Sequence, residues 1–246
     1  ETVSLLRYGP FEQLLCEKCM GYMEPLPVLK KGGMRHLPII DGQQACRPLT
    51  PKEPHMANYT LHDSSTAPEG SRDFIAGVEK KMGFVPSLYA VFAENPAVLH
   101  AYTQLADQLG KTGLSPLEQQ VVTIAASVEN ECHFCVAAHT TISEGAGLDL
   151  SVIDAVREDR AIADPKLEAL RVFTKIVVID RGFVSDCDVD TFLKAGYDRA
   201  AVLAVILGVA LKVISNYTNH VAETPVNEAF QKHAWTPKSK REHVAA

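Results

Sequence analysis

The sequence has 246 residues, of which 46% are apolar and 22% charged, and it carries a net charge of −6. This balance is typical of a globular protein with a substantial core, and the acidic charge argues against nucleic acid or an anionic membrane as a partner. Six cysteines are too few for a disulfide scaffold in a chain of this length, so we expect a reducing, cytoplasmic compartment.

The first 55 residues differ from the rest of the chain. They hold seven of the 14 prolines and show no sustained helical or alternating period. Cys16, Cys19, His36 and Cys46 could in principle hold zinc, but their spacing is irregular, which favours a poorly structured extension. We expect this extension to be dispensable, followed by a helical domain over residues 56–236 and a charged tail over 237–246.

From Met56 onward the apolar residues recur at helical spacing. Pro96 stands at a first helical position, Ser115 and Glu118 form a capping box, and Asp164 precedes another proline. The β-branched clusters lie within helical frames, so no strand is predicted. The pattern predicts an all-α fold, a bundle of roughly eight to nine helices.

One late segment, residues 200–211, is apolar throughout and is bounded by Arg199 and Lys212. It is shorter than the roughly 20 apolar residues that a membrane span needs, so no membrane partner is expected. Its composition predicts a fully buried helix, with burial between subunits of a homo-oligomer.

The residues with the most specific chemistry lie in one short motif, C-x-x-C-x-x-x-H, formed by Cys132, Cys135 and His139. On a helix these spacings place all three side chains on one face. The helix start favours a thiolate at Cys132, whereas His139 can take a proton from Cys135 or stabilise its thiolate. Spacing alone does not choose which cysteine attacks.

A thiol pair of this kind can reduce a hydroperoxide without a cofactor. One cysteine attacks the peroxide and becomes a sulfenic acid, and the other condenses with it to form a disulfide. An external dithiol or a disulfide reductase must then restore the thiols. The expected partners are therefore a small hydroperoxide and a reductant.

Two residues of the preceding helix are further candidates. Gln120 lies on the inward stripe and needs a hydrogen-bond partner, which is either the His139 network or ordinary backbone. Glu118 is best explained as the capping-box carboxylate. On the long C-terminal helix, Asn216 and Asn219 share a face with His220, which fits a pocket, an oligomer contact or a satisfied helix end.

The segments Leu114–Gln120 and Ser127–His139 resemble the alkylhydroperoxidase AhpD / carboxymuconolactone decarboxylase family, over about residues 70–235. The resemblance implies an all-α, oligomeric, peroxiredoxin-type antioxidant oxidoreductase that needs no haem. It implies that Cys135 attacks the peroxide, that Cys132 resolves, and that His139 belongs to a proton relay.

The sequence departs from the family pattern at two positions. The relay glutamate of the family, twelve residues before the first cysteine, corresponds to Gln120, and the histidine before the second cysteine corresponds to Phe134. Glutamine cannot act as a base, so the relay is altered.

Three alternatives remain open. The first is a thiol–disulfide oxidoreductase or redox sensor with little peroxidase turnover, which Gln120 favours. The second is a decarboxylase, against which the cysteine pair argues. The third is structural zinc on Cys132, Cys135 and His139, for which the motif supplies no fourth ligand.

Overall fold

The computed structural model describes residues 59–241, so the N-terminal extension, its cysteines and the two domain boundaries stay predictions. Within the described range the chain is all-α, as predicted, with ten α-helices, one 3₁₀ helix and no strand. The helices are α1 (Glu69–Met82), α2 (Ser87–Phe92), α3 (Pro96–Leu109), α4 (Pro116–Glu129), α5 (His133–Gly145), α6 (Leu150–Arg157), α7 (Pro165–Ile179), α8 (Asp186–Lys194), α9 (Arg199–Ala222), the 3₁₀ helix (Glu228–His233) and α10 (Lys238–Arg241).

The count exceeds the predicted eight to nine because α2 and α10 are only six and four residues long. The helix starts follow the sequence signals. Ser115 accepts from the backbone N–H of Glu118, whose carboxylate accepts in return from the N–H of Ser115, and this completes the predicted capping box of α4. Pro96 and Pro165 stand at the first positions of α3 and α7.

Two hydrophobic clusters form the core, and α9 contributes to both. Val205 belongs to the cluster built with α4, α6, α7 and α8, whereas Leu211 belongs to the cluster built with α1, α2, α3 and α5. A polar stripe of four buried residues interrupts the second half of α9: Lys212, Ser215, Asn216 and Asn219. Their spacing of three and four places them on one face of the helix.

Within the single chain residues 200–211 are only partly buried, so the predicted burial between subunits of a homo-oligomer stays a prediction. Leu203 and Ile206 are 67% and 47% exposed, because the neighbouring helices cover one side of α9 and leave the other open. Of the described helices, α9 alone is long and apolar enough to cross a membrane. Of its most apolar stretch, 44% is buried inside the protein.

A close approach between α9 and α4 fixes the position of the polar stripe. A Cβ atom at Gly208 would lie 2.6 Å from Cγ1 of Val122, so only glycine fits at this crossing. Lys212 follows one helical turn later and therefore faces the helices that pack beside α4.

The turn between α4 and α5 delivers the first cysteine. The N–H of Cys132 donates to the carbonyl of Ser127 and the N–H of Glu131 donates to that of Val128, while Glu131 adopts a left-handed φ of 53°. This is the Schellman arrangement that ends a helix. It leaves Cys132 as the N-cap of α5, with Cys135 in the first turn.

Candidate active site

The two motif cysteines are free thiols inside the protein. Cys132 is 0% and Cys135 2% exposed. The amide Nδ2 of Asn219 donates to both sulfurs, at 3.5 Å from Sγ of Cys132 and 3.3 Å from Sγ of Cys135. One side chain of α9 thus bridges the pair. Its own carbonyl oxygen is buried and has no hydrogen-bond partner among the described residues.

Further polar groups surround Cys135. Its Sγ lies 3.7 Å from Oγ of Ser215. Tyr102 of α3 is 6% exposed and interacts electrostatically with Cys135 and Cys132. The ring of Tyr102 packs on Phe92 of α2 with 4.9 Å between centroids. The sulfur of Cys135 therefore lies in a buried environment with apolar neighbours and a few directed hydrogen-bonding groups.

A buried lysine completes the site. Lys212 is 0% exposed, and its Nζ lies 2.8 Å from Nε2 of His139. An ammonium group can only donate, so Nε2 accepts and the ring hydrogen is on Nδ1. Nδ1 then donates to Oε1 of Gln120, 2.9 Å away. Thr123 lies 3.4 Å from the same nitrogen.

The structure therefore joins Gln120, His139 and Lys212 in one hydrogen-bonded chain. This is one of the two arrangements that the sequence left open for Gln120. Among the hydrogen bonds of residues 59–241 none joins His139 to either sulfur, and both ring nitrogens are already engaged, Nδ1 with Gln120 and Nε2 with Lys212. Direct proton transfer between Cys135 and His139 is not what this geometry provides, and the relay role of His139 stays a prediction.

The environment separates the two thiols electrostatically. Burial opposes ionisation of Cys135, but the hydrogen bond from Cys132 and the charge of Lys212 outweigh it and hold the pKa of Cys135 well below its ordinary value. The hydrogen that Cys132 donates to Cys135, together with burial, raises the pKa of Cys132. The second cysteine is thus the one favoured as a thiolate.

The two basic groups shift in opposite directions. Burial and the neighbouring Lys212 ammonium hold the pKa of His139 well below its ordinary value, which keeps the imidazole neutral. Burial alone would lower the pKa of Lys212, but the adjacent Cys135, Tyr102 and Cys132 raise it. A charged lysine beside a neutral histidine is the resulting state.

Glu118 is not part of this arrangement. Its carboxylate accepts from the backbone of Ser115 and, at 2.9 Å, from the hydroxyl of Tyr197, and it lies 3.8 Å from Nζ of Lys166. These contacts tie it to the start of α4, as the capping-box interpretation expected. The structure does not bring it to the cysteines.

Sequence reasoning missed Lys212, Ser215 and Tyr102. In the sequence Lys212 only marks the end of an apolar run. The signal that could have found the first two is the recurrence of polar residues at 212, 215, 216 and 219 on an otherwise apolar helix. Such a stripe on a buried helix indicates a polar site.

The zinc alternative receives no support from the donor set. Within residues 59–241 no three His, Cys, Asp or Glu side chains converge as metal ligands. Both ring nitrogens of His139 are engaged, one with Gln120 and the other with Lys212. The zinc ligands suggested in the N-terminal extension lie outside the described residues.

Comparison with known proteins gives a consistent result. Residues 96–175 match the carboxymuconolactone decarboxylase family. A comparison with curated proteins found no match. The chain is similar to the solved structure of an alkylhydroperoxidase AhpD core protein, an uncharacterized peroxidase-related protein from Ralstonia eutropha JMP134, with 24% identity and a TM-score of 0.64 over 71% of this chain and 94% of that one.

Two further solved structures share the fold. A peroxidase-related protein from Silicibacter sp. TM1040 has 19% identity and a TM-score of 0.63, over 74% of this chain and 96% of that one. The debrominase Bmp8 in complex with 2,3,4-tribromopyrrole has 15% identity and a TM-score of 0.61, over 71% of this chain and 94% of that one. At these identities the likeness establishes the fold.

Proposed function

We propose that the protein is a cysteine-dependent peroxidase that reduces organic hydroperoxides, since residues 96–175 match the carboxymuconolactone decarboxylase family and the fold is that of an AhpD core protein. The observation that carries this function is the pair of free thiols bridged by Asn219, at 3.5 and 3.3 Å, with opposite pKa shifts. The fold alone does not carry it, because a debrominase shares that fold.

The proposed cycle has two chemical steps. The thiolate of Cys135 attacks the distal oxygen of ROOH, the O–O bond breaks, and Cys135 becomes a sulfenic acid while RO⁻ departs. The sulfur of Cys132 then attacks the sulfenic sulfur and displaces its oxygen as water, which leaves a disulfide. An external dithiol supplies the two electrons that restore the thiols.

The buried oxygen of Asn219 fits such a substrate. A buried acceptor without a partner costs about 1–3 kcal/mol, which a ligand with a hydroxyl hydrogen can recover. The hydroxyl of a hydroperoxide is such a donor, and Asn219 already contacts both sulfurs. This residue is thus suited to hold the peroxide next to the attacking thiolate.

A thiol–disulfide oxidoreductase is the second candidate, and Gln120 is the observation that favours it. The amide side chain at this position cannot take up a proton, so the turnover of peroxide could be slow while thiol exchange persists. The cysteine pair and its electrostatics serve both functions. Thiol counting separates them.

The test uses a variant in which Cys16, Cys19, Cys46 and Cys187 are replaced by serine, so that only two thiols remain. One equivalent of cumene hydroperoxide should remove both thiols and produce a disulfide between Cys132 and Cys135, detectable by peptide mass spectrometry. Thiols that survive peroxide but react with a disulfide reagent would contradict peroxidase function and support the oxidoreductase.

Single substitutions assign the two roles. Cys135→Ser should abolish consumption of the peroxide, whereas Cys132→Ser should permit one turnover and trap a sulfenic acid that dimedone captures. The reverse pattern would make Cys132 the attacking residue.

A further inference from the structure

Lys212 presents an electrostatic problem that its surroundings must solve. Its ammonium group is fully buried in α9, and none of the ion pairs within residues 59–241 includes it. Transfer of an unpaired charge into a protein interior costs several kcal/mol, so a buried charge requires an opposite charge or neutralisation. A counter-anion must therefore be sought among the other groups of the site.

The titratable groups that face Lys212 come from three helices. Tyr89 of α2, Tyr102 of α3, Cys135 and His139 of α5, and Cys132 at the N-cap of α5 all interact with it electrostatically. From α4 the network receives only the uncharged Gln120 and Thr123.

Elimination leaves one group as the anion. Burial raises the pKa of Tyr89 to about 12 and also raises that of Tyr102, so both phenols stay protonated. His139 accepts the lysine hydrogen at 2.8 Å and is neutral. The interaction with Cys135 and burial raise the pKa of Cys132, so Cys132 stays a thiol. The remaining sulfur, on Cys135, is the partner that can balance the ammonium charge.

We infer that Lys212 and the thiolate of Cys135 form the charge pair of the reduced site, and that Lys212 is a catalytic residue that protonates the alkoxide released from the peroxide. The first half rests on the burial of Lys212, on its contact with His139 and on its electrostatic interaction with Cys135, whereas the second half rests on the proposed peroxidase function. Lys212 thereby takes over the proton chemistry that Gln120 cannot perform.

The protons balance over the cycle. The reduced site holds an ammonium, a thiolate and a thiol, and attack on ROOH gives a sulfenic acid and RO⁻. Lys212 donates one proton to RO⁻, which gives ROH and a neutral amine. The amine takes the proton of Cys132, and the resulting thiolate displaces hydroxide from the sulfenic sulfur. That hydroxide takes the proton back from Lys212 and leaves as water.

The oxidised site then contains a neutral disulfide beside a neutral amine, so no unpaired charge is left inside the protein. Two protons accompany the two electrons that an external dithiol returns, and one of them restores the ammonium. The charge of Lys212 thus follows the redox state of the cysteines.

The experiment compares Lys212→Met, Lys212→Arg and Lys175→Met in the full-length two-thiol variant. Lys175 of α7 is the matched control, because it is also mostly buried but its ammonium pairs with the carboxylates of Glu129 and Asp159. The thiolate is followed by its ultraviolet absorbance from pH 5 to pH 10 in the fully reduced protein. Initial rates of peroxide consumption are measured in parallel.

We expect the two-thiol protein with Lys212 to contain one thiolate at neutral pH. In Lys212→Met the thiolate should form only when the pH exceeds the ordinary thiol pKa of about 8.5. Lys212→Arg should restore the thiolate, because arginine retains the charge. If Lys212 had only a structural role, the thiolate would not depend on whether the side chain at position 212 is charged. Peroxide consumption by Lys212→Met should fall about 100-fold, the scale of a lost general acid.

The outcomes separate this inference from the proposed function. If Lys212→Met keeps its thiolate at neutral pH and reacts as fast as Lys175→Met, the inference fails and the peroxidase stands. If the two-thiol parent protein consumes no peroxide but its thiolate disappears in Lys212→Met, the proposed peroxidase function fails and the charge pair stands. Should Lys212→Met not fold, absence of a thiolate at neutral pH in Lys212→Arg would overturn the charge pair.

Discussion

Two lysines of this domain carry a buried or mostly buried ammonium charge, and different groups balance that charge. Lys175 of α7 has a side chain that is 14% exposed, and its ammonium pairs with Asp159 and, at 2.9 Å, with Glu129. Lys212 of α9 is wholly buried and has no carboxylate partner within the described residues. Its ammonium contacts a neutral imidazole and faces two thiols.

The difference concerns how permanent each counter-charge is. Carboxylates stay ionised across the physiological range, so the Lys175 network is fixed and contributes to structure. A thiolate disappears when it is oxidised, so the charge of Lys212 depends on chemistry at the site. Buried ion pairs are weak evidence for stability and are more informative about function when one partner can react.

The largest expected effect is on the free energy of unfolding, because His139 beside Lys212 and Asp159 beside Lys175 should lose their contributions in different pH ranges. The folded-state pKa of His139 is depressed, so the unfolded chain binds the proton first as the pH falls. The contribution of His139 to the free energy of unfolding is therefore complete above the unfolded-state pKa of about 6.5 and decreases below it. The decrease is about 1.4 kcal/mol per pH unit, which amounts to roughly 2 kcal/mol at pH 5.

Urea unfolding of the wild type and His139→Asn across this pH range measures the effect, and the slope should be absent from the variant. Asp159 provides the contrast. Burial opposes its ionisation, but the hydrogen bond and charge of Lys175 outweigh it and lower its pKa. The Asp159 contribution is therefore present above an unfolded pKa of about 3.9 and is lost only below it. Equal slopes for wild type and His139→Asn above pH 5 would contradict the prediction.

The sequence was sufficient for the helices and for part of the site, and the reasons are local. Capping residues such as Ser115 determine where a helix starts, and the spacing of Cys132, Cys135 and His139 is a property of one turn. Lys212 is not identified by a single turn, because a lysine after an apolar run ordinarily lies in solvent; only the polar stripe at 212, 215, 216 and 219 indicates its place. Its burial follows from the contact of Gly208 with Val122, which is a tertiary property.

The next prediction concerns the substitution of a carboxylic acid for the uncharged Gln120, at one end of the hydrogen-bonded chain with His139 and Lys212. In Gln120→Glu a carboxylate would replace the amide oxygen that lies 2.9 Å from Nδ1 of His139. A nearby anion favours the imidazolium, so the pKa of His139 should rise and the ring should become able to exchange protons with Lys212. We expect the peroxide rate to increase about tenfold, within the range of general acid–base catalysis.

Gln120→Met is the matched control, since it keeps the length of the side chain but removes the acceptor. It should cost about 1–3 kcal/mol of stability for the unpaired Nδ1–H and should not accelerate the reaction. Stopped-flow measurement of peroxide consumption checks both variants. A Gln120→Glu variant that is slower than the wild type would argue that the network depends on a neutral His139.

The smallest effect concerns the turn that supplies both networks. Glu129, a partner of Lys175, ends α4, and Cys132 begins the thiol site three residues later. Between them Glu131 holds a φ of 53°, a left-handed conformation that glycine adopts without steric cost. Glu131→Gly should therefore raise the free energy of unfolding by about 0.5–1 kcal/mol, the net of relieved strain and greater unfolded-state entropy.

Glu131→Gln keeps the Cβ atom and should give no gain, so an equal gain in both variants would assign the effect to charge. Because backbone hydrogen bonds to Ser127 and Val128 hold the turn, the thiolate absorbance should be the same in all three proteins, which would mean that the geometry of the turn, and not the side chain at position 131, positions Cys132.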